Sequence, residues 1–283
     1  MPTPTTLKLQ NGLAVLTGAG GGIGAALALQ LAEHGCHLAL ADINAAGLQA
    51  TAVQARAKGV NVSSHVLDLA QPASAAELLA AVQAAHGRAT LLINNAGVAV
   101  GGTFDQVDAV DFDWLMSINF GAVVRLTRAF MPMLQAAPAA QIVNISSIFG
   151  IIAPPGQTAY CSAKFALRGF SESLRHELEA ADSPVRVTVV HPGGVRTGIG
   201  DNARMPRGTS AAVLAEQREL WRRLLVLPAE AAAARILKGI EGREPRVLVG
   251  RDAVQVAWLQ RLFPVRYWRL MARAIARRAA TAK

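Results

Sequence analysis

Residues 13–42 limit what this chain can fold into more than any other stretch. The opening LAVLT is an apolar run short enough for a buried strand. It enters TGAGGGIG at residues 17–24 and then the apolar-periodic AALALQLAEHG, which reads as a helix. A strand that passes into a helix through so much glycine presents bare backbone amides at the helix N-terminus, where the peptide dipoles favour an anion. Gly18, Gly22 and Gly24 let that turn close tightly around a pyrophosphate. A second apolar run, HLALAD, ends in Asp42 about 20 residues on, placed to accept hydrogen bonds from an adenosine ribose. Asp42 would also repel a 2′-phosphate, and Gly21, Gly22 and Ile43 supply no cation for one, so the stretch favours NAD over NADP. The alternative for Asp42 is the N-cap of the helix NAAGLQATAVQARAKG.

The alternation continues. VNVSSHVLDL reads as a third strand ending at Asp68, PASAAELLAAVQAAHG as a helix and ATLLINNAG as a fourth strand with a tight exit. Strands and helices in this order predict an α/β fold, a Rossmann-like doubly wound parallel sheet of about seven strands. Asn94, Asn95, Ala96 and Gly97 stand at a strand's C-terminal end, either as ligand contacts or as a turn held by Asx hydrogen bonds. Residues 104–134 read as a long helical stretch, interrupted by Asn119, whose side chain competes for backbone hydrogen bonds. QIVNISS is the fifth strand and VRVTVV the sixth, ending at HPGGVRT, where Pro192 and Gly193 re-aim the chain and Thr197 is placed to reach a carboxamide or phosphate. PRVLVG is the last strand.

With 52% hydrophobic residues in 283, the chain has core enough for one large domain or two smaller ones. Cys36 and Cys161 form no CxxC, and His34 and His37 lack a third ligand, so neither a disulfide nor a metal site is expected. The N-terminus has no basic start followed by an apolar run, and no apolar run reaches membrane-spanning length, which predicts a cytoplasmic protein. The formal charge of +9 is concentrated: residues 251–283 hold eight Lys/Arg against one Asp, so +7 lies there and +2 on the rest. No basic groove surrounds the motifs, which argues against nucleic acid.

Tyr160 and Lys164 stand one helical turn apart in TAYCSAK. A fixed ammonium beside a phenol favours the phenolate and makes Tyr160 a candidate general acid/base. Pro154, Pro155 and Gly156 break regular structure before it, so Ser147 can fold back to hold a carbonyl oxygen at the same point. A helix that merely carries a Tyr and a Lys explains that pair alone equally well.

Taken together, TGxxxGxG at 17–24, NNAG at 94–97, Asn119, Ser147, YxxxK at 160–164 and PG at 192–193 resemble the short-chain dehydrogenase/reductase family in its short, single-domain form, over roughly residues 10–250. The resemblance implies an oxidoreductase acting between a secondary alcohol and a ketone, with a tetrad of Asn119, Ser147, Tyr160 and Lys164. Tyr160 would exchange a proton with the substrate oxygen, Ser147 would hydrogen-bond that oxygen and Ser146 would support it. Lys164 would bind the nicotinamide ribose and lower the Tyr160 pKa, and Asn119 would fix a water linking Lys164 to solvent. Cofactor contacts would also come from Gly18, Gly20, Gly22, Ile23, Gly24 and Asp42, from Asp68 and Leu69 beside the adenine, from Asn95, Ala96 and Gly97, and from Pro192, Gly193, Val195 and Thr197. A homodimer or homotetramer is implied as well. An NADPH-dependent carbonyl or ketoacyl reductase and a non-catalytic dinucleotide-binding scaffold are the alternatives.

Ile148, Phe149, Ile151, Ile152, Val98 and Val100 suggest an apolar substrate, lipid-, steroid- or aryl-like. Residues 195–227, where the family carries its variable lid, end in a helix whose Leu214, Trp221, Leu224 and Leu225 share a rough face. Arg196, Arg204 and Arg207 either meet an acidic group on the substrate or are solvated. Residues 251–283 form a C-terminal extension to the 1–250 catalytic domain. Within 261–279, Arg266, Arg269, Arg273 and Arg277 alternate with a stripe of Trp268, Met271 and Ile275. That pattern suits peripheral contact with an anionic membrane, or packing on the chain's own domain or a sister subunit.

Overall fold

The computed structural model describes residues 7–273. Seven parallel strands form one sheet in the order β3-β2-β1-β4-β5-β6-β7. They are β1 (Leu13–Thr17), β2 (His37–Asp42), β3 (Val62–Val66), β4 (Leu91–Asn94), β5 (Ala140–Ile145), β6 (Val185–Pro192) and β7 (Arg246–Val249). The helices between them are α1 (Gly22–Glu33), α2 (Ala45–Arg56), α3 (Ser74–His86), α4 (Ala109–Met116), α5 (Ala122–Gln135), α6 (Thr158–Ala180), α7 (Ala211–Leu224) and α8 (Ala229–Glu241), and α9 (Arg251–Leu262) follows the last strand.

Because side chains alternate across a strand, the near-continuous apolar strands feed two cores. Ala14, Leu16, Leu38, Leu40 and Ile93 point to one face, where α1 and α8 bring Leu27, Leu31 and Ile236. Leu13, Val15, Leu92, Ile142 and Val187 point to the other, where α3 and α5 bring Leu78, Leu126 and Phe130. The sheet reverses direction of growth between β1 and β4, which opens a crevice at their C-terminal ends. The glycine turn, Asp42, the NNAG turn, Ser147 and the Pro192–Gly193 turn all lie at the C-terminal ends of their strands.

Three local expectations change. The helical stretch begins at Ala109, and Phe104 is 69% exposed in the preceding turn. The third strand stops at Val66, two residues before Asp68. Asn44, not Asp42, caps α2: it is extended, and its side chain accepts from the Gly47 amide at 3.1 Å. Asn119 does interrupt its helix, inside a π-helical segment at Ser117–Gly121 between α4 and α5.

Candidate active site

The glycine turn adopts the left-handed backbone its sequence calls for, with φ of 68° at Gly18 and 54° at Gly22. A Cβ on Gly24 would collide with the Gly18 carbonyl, so only glycine lets α1 start this close to the strand. Asp42 closes the turn from β2: its Oδ2 accepts from the Gly20 amide at 2.7 Å and its Oδ1 from the Asn44 amide at 2.8 Å. Gly47, which sequence reading passed over, lets α2 abut the Gly20 carbonyl.

The NNAG turn is bound to this loop. Asn95 Nδ2 donates to the Thr17 and Gly18 carbonyls at 3.0 Å, and Thr17 Oγ1 accepts from the Asn95 and Ala96 amides at 3.1 Å. Asn94 is buried and structural, donating to Asn144 Oδ1 at 2.8 Å, and Asn144 donates in turn to Ser171 Oγ. Gly97 leaves room for the Lys164 ammonium, which would lie 3.5 Å from a Cβ there. Asp68 accepts from the Ala70 amide at 2.9 Å and from Gln71 Nε2 at 3.1 Å, while Leu69 packs on the second core and its carbonyl is held by Arg125.

Ser147 leaves β5 in an extended conformation and caps a short 3-10 turn at Ile148–Gly150, its Oγ accepting from the Phe149 amide at 3.1 Å. Ser146 is buried, its Oγ donating to the Lys164 carbonyl at 3.0 Å. Tyr160 and Lys164 share a face of α6, the ammonium 5.5 Å from the ring centroid. Lys164 Nζ donates to the Ile145 carbonyl at 3.0 Å, and burial pulls its pKa down to about 8.

The phenol departs from expectation. Burial pushes Tyr160 up to about 12, and it is the hydrogen bond from Ser147, not the Lys164 charge, that pulls the other way. The Asn119 amide bridges Val98, its Oδ1 accepting from that amide at 2.8 Å and its Nδ2 donating to that carbonyl at 2.9 Å.

Beyond β6 the Pro192–Gly193 turn is clamped by Asp252 of α9, whose Oδ2 accepts from the Gly194 amide at 2.7 Å. Val195 bridges to Leu227, and the Thr197 methyl lies 3.0 Å from where a Gly22 Cβ would sit, so this segment arches over the glycine turn. In residues 195–227, Leu214, Trp221 and Leu225 are half-buried, whereas Leu224 is 54% exposed and leaves the shared face. The arginines singled out there are engaged: Arg204 pairs with Asp111 at 2.8 Å and stacks 3.4 Å from the Trp114 ring centroid, Arg207 reaches Asp108 at 3.4 Å and Arg196 donates to the Val226 carbonyl at 3.2 Å.

The apolar residues divide. Ile148, Ile151 and Ile152 turn away to pack against Ala253, Val256, Tyr267 and Met271. Phe149 stays beside Tyr160, ring edge to face at 6.1 Å, with half-buried Val98 near the same ring. The C-terminal helices therefore back the loop between Ser147 and Tyr160, and Tyr267 Oη accepts from the Ala153 amide at 2.9 Å. Met271 of the expected outward stripe lies inward, and Ile275 and Arg277 fall outside the described residues. Among the described residues, no group of three or more His, Cys, Asp or Glu could hold a metal ion, and no helix is long and apolar enough to cross a membrane.

A parallel sheet with a glycine turn closed by Asp42, and with Ser147, Tyr160 and a buried Lys164 gathered near its switch point, is the arrangement of a nicotinamide-dependent oxidoreductase. The family described as short chain dehydrogenase matches residues 12–207, and the chain belongs to the short-chain dehydrogenase/reductase family. SadH of Mycobacterium tuberculosis, which carries an oxidoreductase name, is 42% identical over 270 residues, 95% of this chain and 97% of that protein. A short-chain dehydrogenase/reductase from Burkholderia phymatum, solved with NAD, superposes with a TM-score of 0.82 at 31% identity, covering 90% of this chain and 94% of that one. A metagenomic short-chain oxidoreductase solved with NADP superposes at 0.69 with 30% identity, covering 86% and 98%.

Proposed function

We propose that the protein interconverts an apolar secondary alcohol and its ketone with NAD(H) as cofactor. The carrying observation is the Asp42 carboxylate, set on the Gly20 amide at the ribose end of the turn. The nicotinamide takes up or supplies the hydride. Tyr160 accepts the alcohol proton in oxidation and returns it in reduction, and the Ser147 hydroxyl holds the substrate oxygen beside it. The Lys164 ammonium would bind the nicotinamide ribose, and the Ser147 hydroxyl is the group that favours the phenolate. With the Asn119 amide committed to Val98, the irregular backbone of the π segment is the place for a water that passes the proton on. Phe149 and Val98 give the site its apolar wall. A homodimer or homotetramer belongs to the same reading.

Titration of the purified protein with NADH and NADPH should show tighter NADH binding. Asp42→Asn, which removes the repulsion of a 2′-phosphate, should narrow the difference by about tenfold, or ~1.4 kcal/mol. Tighter NADPH binding by the unaltered protein would sink the NAD assignment.

For the extension, the reading is peripheral contact with an anionic membrane, through an outer face different from the stripe read in the sequence. Val254, Trp258, Leu262, Phe263 and Val265 are exposed, Val265 by 89%. Around them stand Arg251, Arg261, Arg266, Arg269 and Arg273, while the neighbouring Asp252 is spent on Gly194. A two-fold contact of this face with itself would set arginines against arginines, whereas anionic headgroups meet them favourably. Sedimentation with vesicles should show binding to phosphatidylglycerol-containing but not to pure phosphatidylcholine membranes, weakened by salt and lost in Leu262→Asp. Equal binding to both, or a Leu262→Asp variant that only dissociates an oligomer, would refute it.

A further inference from the structure

His191 lies on β6 immediately before the Pro192–Gly193 turn, and it has no solvent exposure at all. The backbone ladder between β5 and β6 ends just short of it: the last paired residues are Ile145 and Val190, and the Ser146 amide still donates to the Val190 carbonyl at 2.8 Å. One residue further the chain at Ser147 departs from the sheet. There the bond is made by a side chain, the His191 Nδ1 standing 2.9 Å from the Ser147 carbonyl.

A carbonyl only accepts, so Nδ1 must carry the proton. The neutral ring then presents Nε2 as an acceptor, and that atom is buried without a hydrogen-bond partner among the described residues. Leaving a buried acceptor unpaired is destabilising, a cost that an apolar side chain of the same size would avoid. The bond at Nδ1 is what the imidazole contributes in return.

We propose that His191 is a positioning residue for catalysis: its Nδ1–H fixes the backbone of Ser147 where the serine leaves the sheet, and so sets the Ser147 hydroxyl against the Tyr160 phenol. The inference rests on the reading of Ser147 and Tyr160 as the reacting pair. The Ser147 carbonyl also accepts from the Gly150 amide of its own turn at 2.9 Å, so loss of the tether leaves it held within the turn but no longer fixed to β6, and a serine displaced by about 1 Å costs on the order of 100-fold in rate. That loss also withdraws the hydrogen bond that draws the phenol's ionisation down, so the phenolate forms at higher pH.

Burial is the largest influence on His191, Arg246 and Arg168 push the same way, and together they outweigh the Ser147 hydrogen bond and Glu172, with a pKa down at about 4. The ring therefore stays neutral across the working range, and a shift in the rate profile reports Tyr160. Around that phenol stand Ser147, Lys164 and Cys161.

The test compares His191→Leu, which fills the space without a donor, with His191→Asn, whose amide can donate to the same carbonyl. His191→Leu should lower kcat for alcohol oxidation by about 10- to 100-fold and move the rise of kcat with pH to higher pH, with the NADH dissociation constant within about twofold of the unaltered protein. His191→Asn should restore most of the rate and the original profile. A cooperatively folded His191→Leu with unchanged kcat and profile overturns the inference. So does equal impairment of His191→Asn, or an NADH affinity that falls as far as kcat, which would make His191 a residue of the cofactor turn. Absence of any dehydrogenase turnover in the unaltered protein would refute the functional reading instead. Nitrogen NMR of the imidazole, showing the neutral Nδ1–H tautomer from neutral pH down to pH ~5, reports the tether independently of turnover, and an Nε2–H tautomer would refute it.

Discussion

Tyr160→Phe is expected to lower turnover by about 10³-fold or more, while NADH binding changes by less than about twofold. The substitution deletes one oxygen and nothing else. The ring would keep its edge-to-face contact with Phe149 and its place beside Val98, Val100 and Ala163, so the helix should remain seated and the protein folded. What disappears is the phenolic oxygen proposed to trade a proton with a bound alcohol, while Lys164 keeps its bond to the Ile145 carbonyl. Steady-state rates and a cofactor titration on the same preparation decide the matter. Residual turnover within about tenfold of the unaltered enzyme would remove Tyr160 from the role of acid/base. The same variant separates an enzyme from a dinucleotide-binding scaffold, whose biological effect should survive it.

Gly24→Ala should abolish cofactor binding and lower the melting temperature. A methyl at this position would occupy the space of the Gly18 carbonyl and also press on Asn95 Nδ2, at 2.6 Å, which carries the bonds joining the NNAG turn to the loop. Neither neighbour is the loose end of a long side chain. The turn must open or α1 must move, and overpacking of this kind costs about 1–3 kcal/mol. For a chain of this size that corresponds to a fall of roughly 2–12 °C in Tm. The NADH affinity should fall by far more than the stability, since the pyrophosphate is met by the amides that are displaced. Unchanged NADH affinity would show that the dinucleotide does not lie on this turn.

Much of the site was legible because its signals are local. The glycine turn, Asp42 and the NNAG turn each sit at a strand's C-terminal end, and hydrophobic periodicity locates the strands, while Tyr160 and Lys164 are joined by their one-turn spacing on α6. Ser147 was legible for the same reason, as the last residue before β5 gives way to a turn. Boundaries were harder. The α4 start at Ala109 and the Asn44 cap turn on single backbone torsions that propensity leaves nearly level. Arg204, Arg207 and Arg196 appeared free in sequence because their partners Asp111, Asp108 and the Val226 carbonyl are distant or of the wrong kind to be seen there. His191 carried a faint signal, a lone imidazole inside an otherwise apolar strand, and nothing in the sequence says that its ring reaches Ser147 forty-four residues earlier.

The sequence by itself determined the alternation of strand and helix and the parallel sheet, since both follow from hydrophobic periodicity along the chain, and only its resemblance to the short-chain dehydrogenase/reductase family joined Ser147, Tyr160 and Lys164 in a candidate reacting set. Only the tertiary structure decided what those residues lean on: Asp42 on Gly20, Asn119 on Val98, Asp252 on the Pro192–Gly193 turn, and Tyr267 on the loop beside the phenol. It also decided the ionisation of Tyr160, because burial is a property of everything packed around a group and has no address in the sequence.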